Sequence, residues 1–261
     1  MSLSSLGLTE FPRLSKGLCG VLFLGYLLQI LFPWIVGYTA LVPAKTIPFV
    51  WNIITAGFIE QSIFGLIVSI FGLLLCGKLL EPLWTSREVL KFVVFVNTFT
   101  LFGVYATAVT SYYITGRERF LYTKLSGFHG VLAGFLVGVK QAMPDQEFSL
   151  YGISQIRTQW MPSLLLLPSI IISFVTPEAI RFLPFTIFGT YGSWLYLRYF
   201  QRIPETSLMG NPEDEFAFET FFPLFIRPVV HVFASIFHNV LCGSNHQRRD
   251  GHHSETPSVA V

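Results

Sequence analysis

Residues 124–141 read KLSGFHGVLAGFLVGVKQ, a nearly uncharged stretch with a lysine near each end and glycine at Gly127, Gly130, Gly134 and Gly138. The spacings of three and four set these glycines near one face of a helix. Small residues so spaced let helix backbones approach closely inside a bilayer. The stretch therefore predicts a short central helix over 125–141, enclosed by other helices, with His129 near its start. An imidazole within a membrane segment has two readings. It is either part of a functional site or a satisfied histidine in tight packing.

The rest of the chain supports the membrane setting. Of 261 residues, 52% are hydrophobic, 16% aromatic and 12% charged. A soluble domain carries roughly 25% charged residues. The net charge of +2 gives no reason to expect a nucleic-acid partner. Cys19, Cys76 and Cys242 have neither disulfide nor metal-ligand spacing. His246, His252 and His253 lack ligand spacing too, so no metal and no cofactor is expected.

Six spans follow from the apolar runs, at about 17–42 (interrupted by Pro33), 59–80, 89–114, 125–141, 161–175 (containing Pro168) and 182–200. Between the first two, a loop with Pro43, Pro48 and Trp51 is apolar and aromatic enough to lie at the membrane interface. With an even span count both termini share one side. Nine basic residues (Arg13, Lys16, Lys78, Arg87, Lys91, Lys140, Arg157, Arg198, Arg202) flank the spans there, against five opposite (Lys45, Arg117, Arg119, Lys124, Arg181). The excess predicts that both termini are cytosolic.

The organisation expected is a cytosolic N-terminus over 1–16, a membrane domain over 17–202, an acidic linker and apolar aromatic segment over 203–242, and a disordered cytosolic tail over 243–261. Residues 216–241 carry Pro223, Arg227 and Pro228, which are costly inside a bilayer. A segment along the membrane surface is preferred to a seventh span, and a helix docked on the core would look the same.

Chemistry has few candidates. Ser126 and His129 would be neighbours at i and i+3 on one helix, the arrangement a serine nucleophile and its base would need. No orienting third group is evident, and serine is common as a helix cap. Glu60, Asn97 and His129 are nearly the whole stock of polar groups at membrane depth, with Glu60 close enough to an interface to snorkel. Lys140 reads as a snorkelling anchor.

Several motifs resemble the rhomboid superfamily. Residues 51–58, WNIITAGF, resemble its Trp-x-x-x-Thr-x-x-Phe stretch, and Glu81 resembles the glutamate that closes its second core helix. Gly127-Phe128-His129-Gly130 with Gly134 looks like the Gly-x-Ser-Gly-x-x-x-Gly element with His129 in place of the nucleophile. Gly189 and Ser193 resemble the last core helix, with Trp194 standing where a catalytic histidine would follow. Residues 126–130 (SGFHG), 136–141 (LVGVKQ), 193–198 (SWLYLR) and 214–223 (DEFAFETFFP) resemble the transmembrane protein 115-like family of rhomboid-like pseudoproteases.

The resemblance covers about residues 15–240. It implies an all-α, six-transmembrane-helix rhomboid-like bundle with a cytosolic C-terminal tail and no catalytic residues, His129 and Trp194 being degenerate dyad positions. It implies a Golgi membrane protein (with the endoplasmic reticulum membrane as the alternative compartment) acting in Golgi-to-endoplasmic-reticulum retrograde transport. The expected partners are membrane lipid, transmembrane clients, a cytosolic Golgi tethering complex and a second copy of the chain. Phe216, Phe218, Phe221, Phe222 and Pro223 form the candidate tail interaction block. An intramembrane serine protease using Ser126 and a channel or lipid-handling protein are the competing functions.

Overall fold

The computed structural model describes residues 11–143, 147–150, 154–158, 161–175, 181–202, 210 and 216. Six principal helices follow one another: α1 (Arg13–Leu31), α2 (Ile63–Leu80), α3 (Ser86–Thr115), α4 (His129–Ala142), α5 (Met161–Val175) and α6 (Leu183–Leu195), the last continued by a π-helical turn over Tyr196–Phe200. Three of them, α1, α2 and α3, are long and apolar enough to cross a membrane. The other three have 14, 15 and 13 residues, below the roughly 20 that a crossing needs.

The helix ends follow from local chemistry. Ser62 caps α2 by accepting the Gly65 N–H at 3.0 Å. Gly116 ends α3 at φ 67°, the left-handed conformation glycine adopts without a Cβ clash. Pro184 lies in the first turn of α6, where its missing N–H has no helical partner to lose. Within α5, Pro168 breaks the backbone ladder, and the Ser169 and Ser173 hydroxyls donate to the carbonyls of Leu165 and Ser169 at 2.6 and 2.7 Å.

The first span differs from the sequence expectation at both ends. Helix α1 begins at Arg13, within the stretch expected to precede the span. Glu81 is the reason: its carboxyl oxygens accept the N–H groups of Leu14 and Ser15, each at 3.3 Å, and the Ser15 hydroxyl at 2.9 Å. Those donors would otherwise be orphans of the first turn. At the other end α1 stops at Leu31. Pro33 opens a separate turn, Pro33–Ile35, followed by the one-turn helix Val36–Thr39.

That segment joins a connection running to Phe58. Along it Phe32, Trp34, Tyr38, Phe49 and Trp51 pack ring to ring at 5.0–6.4 Å. Trp34 and Trp51 remain exposed, as suits amphipathic rings at a membrane interface.

Helix α4 is the central one, as expected. It packs against α2, α3, α5 and α6. Nine of its fourteen residues are buried, against four of nineteen in α1. Phe23 and Leu24 on α1, Phe64 and Phe71 on α2, and Phe102 on α3 are exposed, a distribution that suits lipid contact rather than water. Mostly helical character is therefore confirmed among the described residues, with one addition to the all-α expectation. Glu147–Leu150 and Ser154–Arg157 form an antiparallel hairpin with Phe148 opposite Ile156. Polar and apolar residues alternate along Glu147–Leu150, the period-two signal of a strand, whereas Ser154–Arg157 has Ile156 alone as an apolar residue.

Candidate functional site

The glycines explain how α4 is seated. Gly189 of α6 lies directly on the backbone of Gly130, and a Cβ at Gly189 would meet the Gly130 carbonyl and Cα. One turn on, Gly134 faces the Ser193 side chain. Gly138 turns toward Trp84 and Leu80. Both helices advance in the same direction across this contact. Gly130 and Gly134 are the positions at which α4 and α6 approach most closely in this contact, Gly130 against the backbone of Gly189 and Gly134 against Ser193.

Gly127 is a correction to that pattern. It lies outside α4, at φ 139°, and its N–H donates to the Ala56 carbonyl at 3.1 Å. The chain reaches α4 extended, because Leu41 and Leu125 exchange both backbone hydrogen bonds at 2.9 Å. Ser126 is therefore also outside the helix and does not cap it. Its Oγ accepts from Gln61 Nε2 at 2.9 Å, and the same amide donates to the Lys124 carbonyl at 3.1 Å. Ser126 and His129 share no hydrogen bond among the described residues.

Glu60 differs most from expectation. It is 1% exposed, not snorkelling at an interface. Its Oε1 accepts the Ser69 hydroxyl at 2.6 Å and the Phe128 N–H at 2.8 Å, while Oε2 lies 3.9 Å from His129 Nε2. The Phe128 N–H stands at the N-terminus of α4, where backbone donors lack helical partners and favour a negative group. Glu60 thus supplies the cap that Ser126 does not. Gly65 leaves room for this carboxyl group: a Cβ there would lie 2.9 Å from Oε2.

His129 packs edge-on against Phe182 and Phe185 at 5.2 and 6.4 Å between ring centroids. Trp194 has different neighbours. Its ring lies 5.7 Å from Tyr191 and 6.1 Å from Tyr199, and its Nε1 donates to the Phe216 carbonyl at 2.9 Å. The structure brings Trp194 to buried Phe216 of the tail block. Among the described residues His129 and Trp194 have no ring neighbour in common. Phe218, Phe221, Phe222 and Pro223 lie outside the described residues.

Two further polar residues are placed differently from their sequence reading. Lys140 is 4% exposed rather than snorkelling, because α4 has other helices around it. Asn97 donates to the Ile54 carbonyl at 2.7 Å, with its Oδ1 against Gly57. It serves as a clamp between α3 and the connecting segment.

His129, Ser126, Glu60 and Gln61 line a cavity of about 560 Å³. It lies among the start of α2, the entry to α4, the middle of α5 and the start of α6. Arg181, Phe182 and Thr186 also border it, and the sequence reading had not singled them out for chemistry. Their only sequence signal is position: Arg181 and Phe182 stand at the start of an apolar run, and Thr186 is a polar residue within it. Among the described residues no cluster of His, Cys, Asp or Glu is arranged to hold a metal ion.

The comparisons agree with this architecture. A family described as eukaryotic integral membrane protein (DUF1751) matches residues 16–259. The chain is 50% identical over 253 residues to Rhomboid-like protein 19 of Arabidopsis thaliana, covering 97% of this chain and 82% of that protein. It is 34% identical over 231 residues to Transmembrane protein 115 of Homo sapiens, covering 87% of this chain and 64% of that protein. A Transmembrane protein 115 homolog of Saccharomyces cerevisiae is 23% identical over 222 residues, covering 77% of this chain and 65% of that protein. The chain thus spans just under two thirds of the length of the human and yeast relatives. With the family match across most of its length and half its residues identical to a rhomboid-like relative, the chain belongs to the eukaryotic integral membrane protein family DUF1751.

Proposed function

We propose that the chain is a non-catalytic rhomboid-like adaptor of the Golgi membrane, acting in Golgi-to-endoplasmic-reticulum retrograde vesicle transport. In this reading six helices cross the bilayer and both termini are cytosolic. The bundle holds transmembrane client segments, and residues 203–261 meet a cytosolic tethering complex.

One observation carries the non-catalytic part. A serine nucleophile needs a base within hydrogen-bond reach. Ser126 instead accepts a hydrogen bond from Gln61, and among the described residues the carboxyl group beside His129 is that of Glu60, whose Oε1 is engaged by Phe128 and Ser69. A scaffold without an activated nucleophile supports a binding role. The compartment and the transport step rest on the resemblance to the transmembrane protein 115-like family.

The test is deletion of residues 203–261 in cells, followed by imaging and co-purification. Loss of tethering partners, with the bundle still membrane-inserted, is the expected result. Unchanged localisation and unchanged partners would rule out the tail as the adaptor surface.

A further inference from the structure

Trp194 stands where α6 gives way to a wider turn. Tyr196–Phe200 is π-helical, and the Gln201 N–H closes it by donating to the Tyr196 carbonyl at 2.9 Å. Such turns are rare and recur at functional sites. Beyond the turn the chain comes back to it at two described points. The Gly210 N–H donates to the Gln201 carbonyl at 2.8 Å. The Phe216 carbonyl accepts from Trp194 Nε1 at 2.9 Å, and Phe216 is 4% exposed.

Both points suit a returning chain. Gln201 is itself buried and is held from α4, since its Oε1 accepts from Gln141 Nε2 at 3.0 Å. Gly210 has φ 76°, and a Cβ there would meet the backbone of Arg198 and Tyr199, so a side chain at this position would push the segment off the turn. Trp194 lies against the rings of Tyr191 and Tyr199 with its N–H directed at Phe216. Phe216 opens the aromatic block with which the tail is expected to meet a partner. A ring withdrawn into the protein is not available for that contact.

We propose that Trp194 and Phe216 form a latch that closes the start of the tail block onto α6, and that Phe216 becomes available to a partner only when the latch opens. The structure shows the closed state. Opening breaks the Trp194–Phe216 and Gly210–Gln201 hydrogen bonds and exposes the Phe216 ring. A segment held at the end of an element can open in this way while the bundle stays folded. The latch stands independently of the adaptor role, since it governs the exposure of Phe216 whatever the tail meets.

The experiment uses the full chain in nanodiscs, with chymotrypsin as the probe. The protease must take the Phe216 ring into its own apolar pocket to cut after it. Cleavage of the Phe216–Ala217 bond therefore follows the open population, provided that opening and closing are fast. Mass spectrometry gives the initial rate at that bond. Wild type should be cut there far more slowly than a free peptide of residues 210–222. Trp194→Phe keeps a ring beside the tyrosines but loses the N–H, and should be cut about fivefold faster, the worth of one neutral hydrogen bond. Gly210→Val acts from the other point and should raise the rate by at least as much. Gly20→Ala, where a Cβ meets nothing within 4 Å, should match wild type. The thermal transition of the bundle should be retained in all three variants.

Wild type cut at the rate of the free peptide overturns the proposal, because Phe216 would not be withdrawn. So does Trp194→Phe or Gly210→Val cut at the wild-type rate. Faster cutting that Gly20→Ala shares, or that is seen only where the thermal transition has fallen, overturns it too, because the whole bundle would then be loosened rather than a latch released.

Discussion

Glu60 Oε1 lies 2.8 Å from the backbone nitrogen of Phe128, 68 residues further along the chain. This contact fastens the start of α2 to the N-terminus of α4 through a buried carboxyl group. Glu60→Leu would leave the Phe128 N–H and the Ser69 hydroxyl without their acceptor. An unsatisfied buried group costs about 1–3 kcal/mol. Glu60→Leu is therefore expected to lower the thermal transition in detergent markedly, and Glu60→Gln, which keeps one acceptor oxygen, to lower it less. Equal transitions for wild type and Glu60→Leu would mean that the contact does not hold the helices together.

The α4–α6 contact gives a second prediction. Gly189→Ala would drive a Cβ into the backbone of Gly130, which has no flexible side chain to move aside. Overpacking of this kind typically costs about 1–3 kcal/mol. Gly20→Ala is the matched control, because nothing lies within 4 Å of a Cβ there. It should be neutral or stabilising by up to about 1 kcal/mol, the helix-propensity difference between the two residues. Differential scanning fluorimetry of both variants separates a packing glycine from a tolerated one.

Glu81 anchors α1. Glu81→Ala removes the acceptor for Leu14, Ser15 and Ser86 together. Loss of a helix cap typically costs about 1 kcal/mol. Hydrogen exchange at the first turn of α1 should rise in this variant while exchange in α4 stays slow. Faster exchange throughout the bundle would assign Glu81 a global role instead.

Fluorophosphonate labelling tests the catalytic alternative. The reconstituted protein should not react, and Ser126→Ala should be indistinguishable from wild type, while a competent rhomboid protease labels alongside. Labelling that vanishes in Ser126→Ala would reveal a base that the present geometry does not supply, and the non-catalytic reading would fall.

Much of the bundle was legible from residue order. Apolar runs located all six principal helices, and the Gly130 and Gly134 spacing identified the helix face that meets α6. Gly127 shares that spacing but not the role, because its place is decided by the Leu41–Leu125 pairing, a contact between segments far apart in sequence. The same pairing removed Ser126 from the helix and with it the neighbour relation to His129.

The chain's composition and periodicity determined that it is a helical membrane protein with an enclosed central helix. Burial of apolar runs, and the need to satisfy backbone groups locally, depend on nearby residues. Tertiary structure alone decided the polar chemistry. A carboxyl group is a snorkelling end or a buried cap according to which donors the fold brings to it, and the donors that Glu60 meets lie 9 and 68 residues away. No local pattern around Glu60 carries that information.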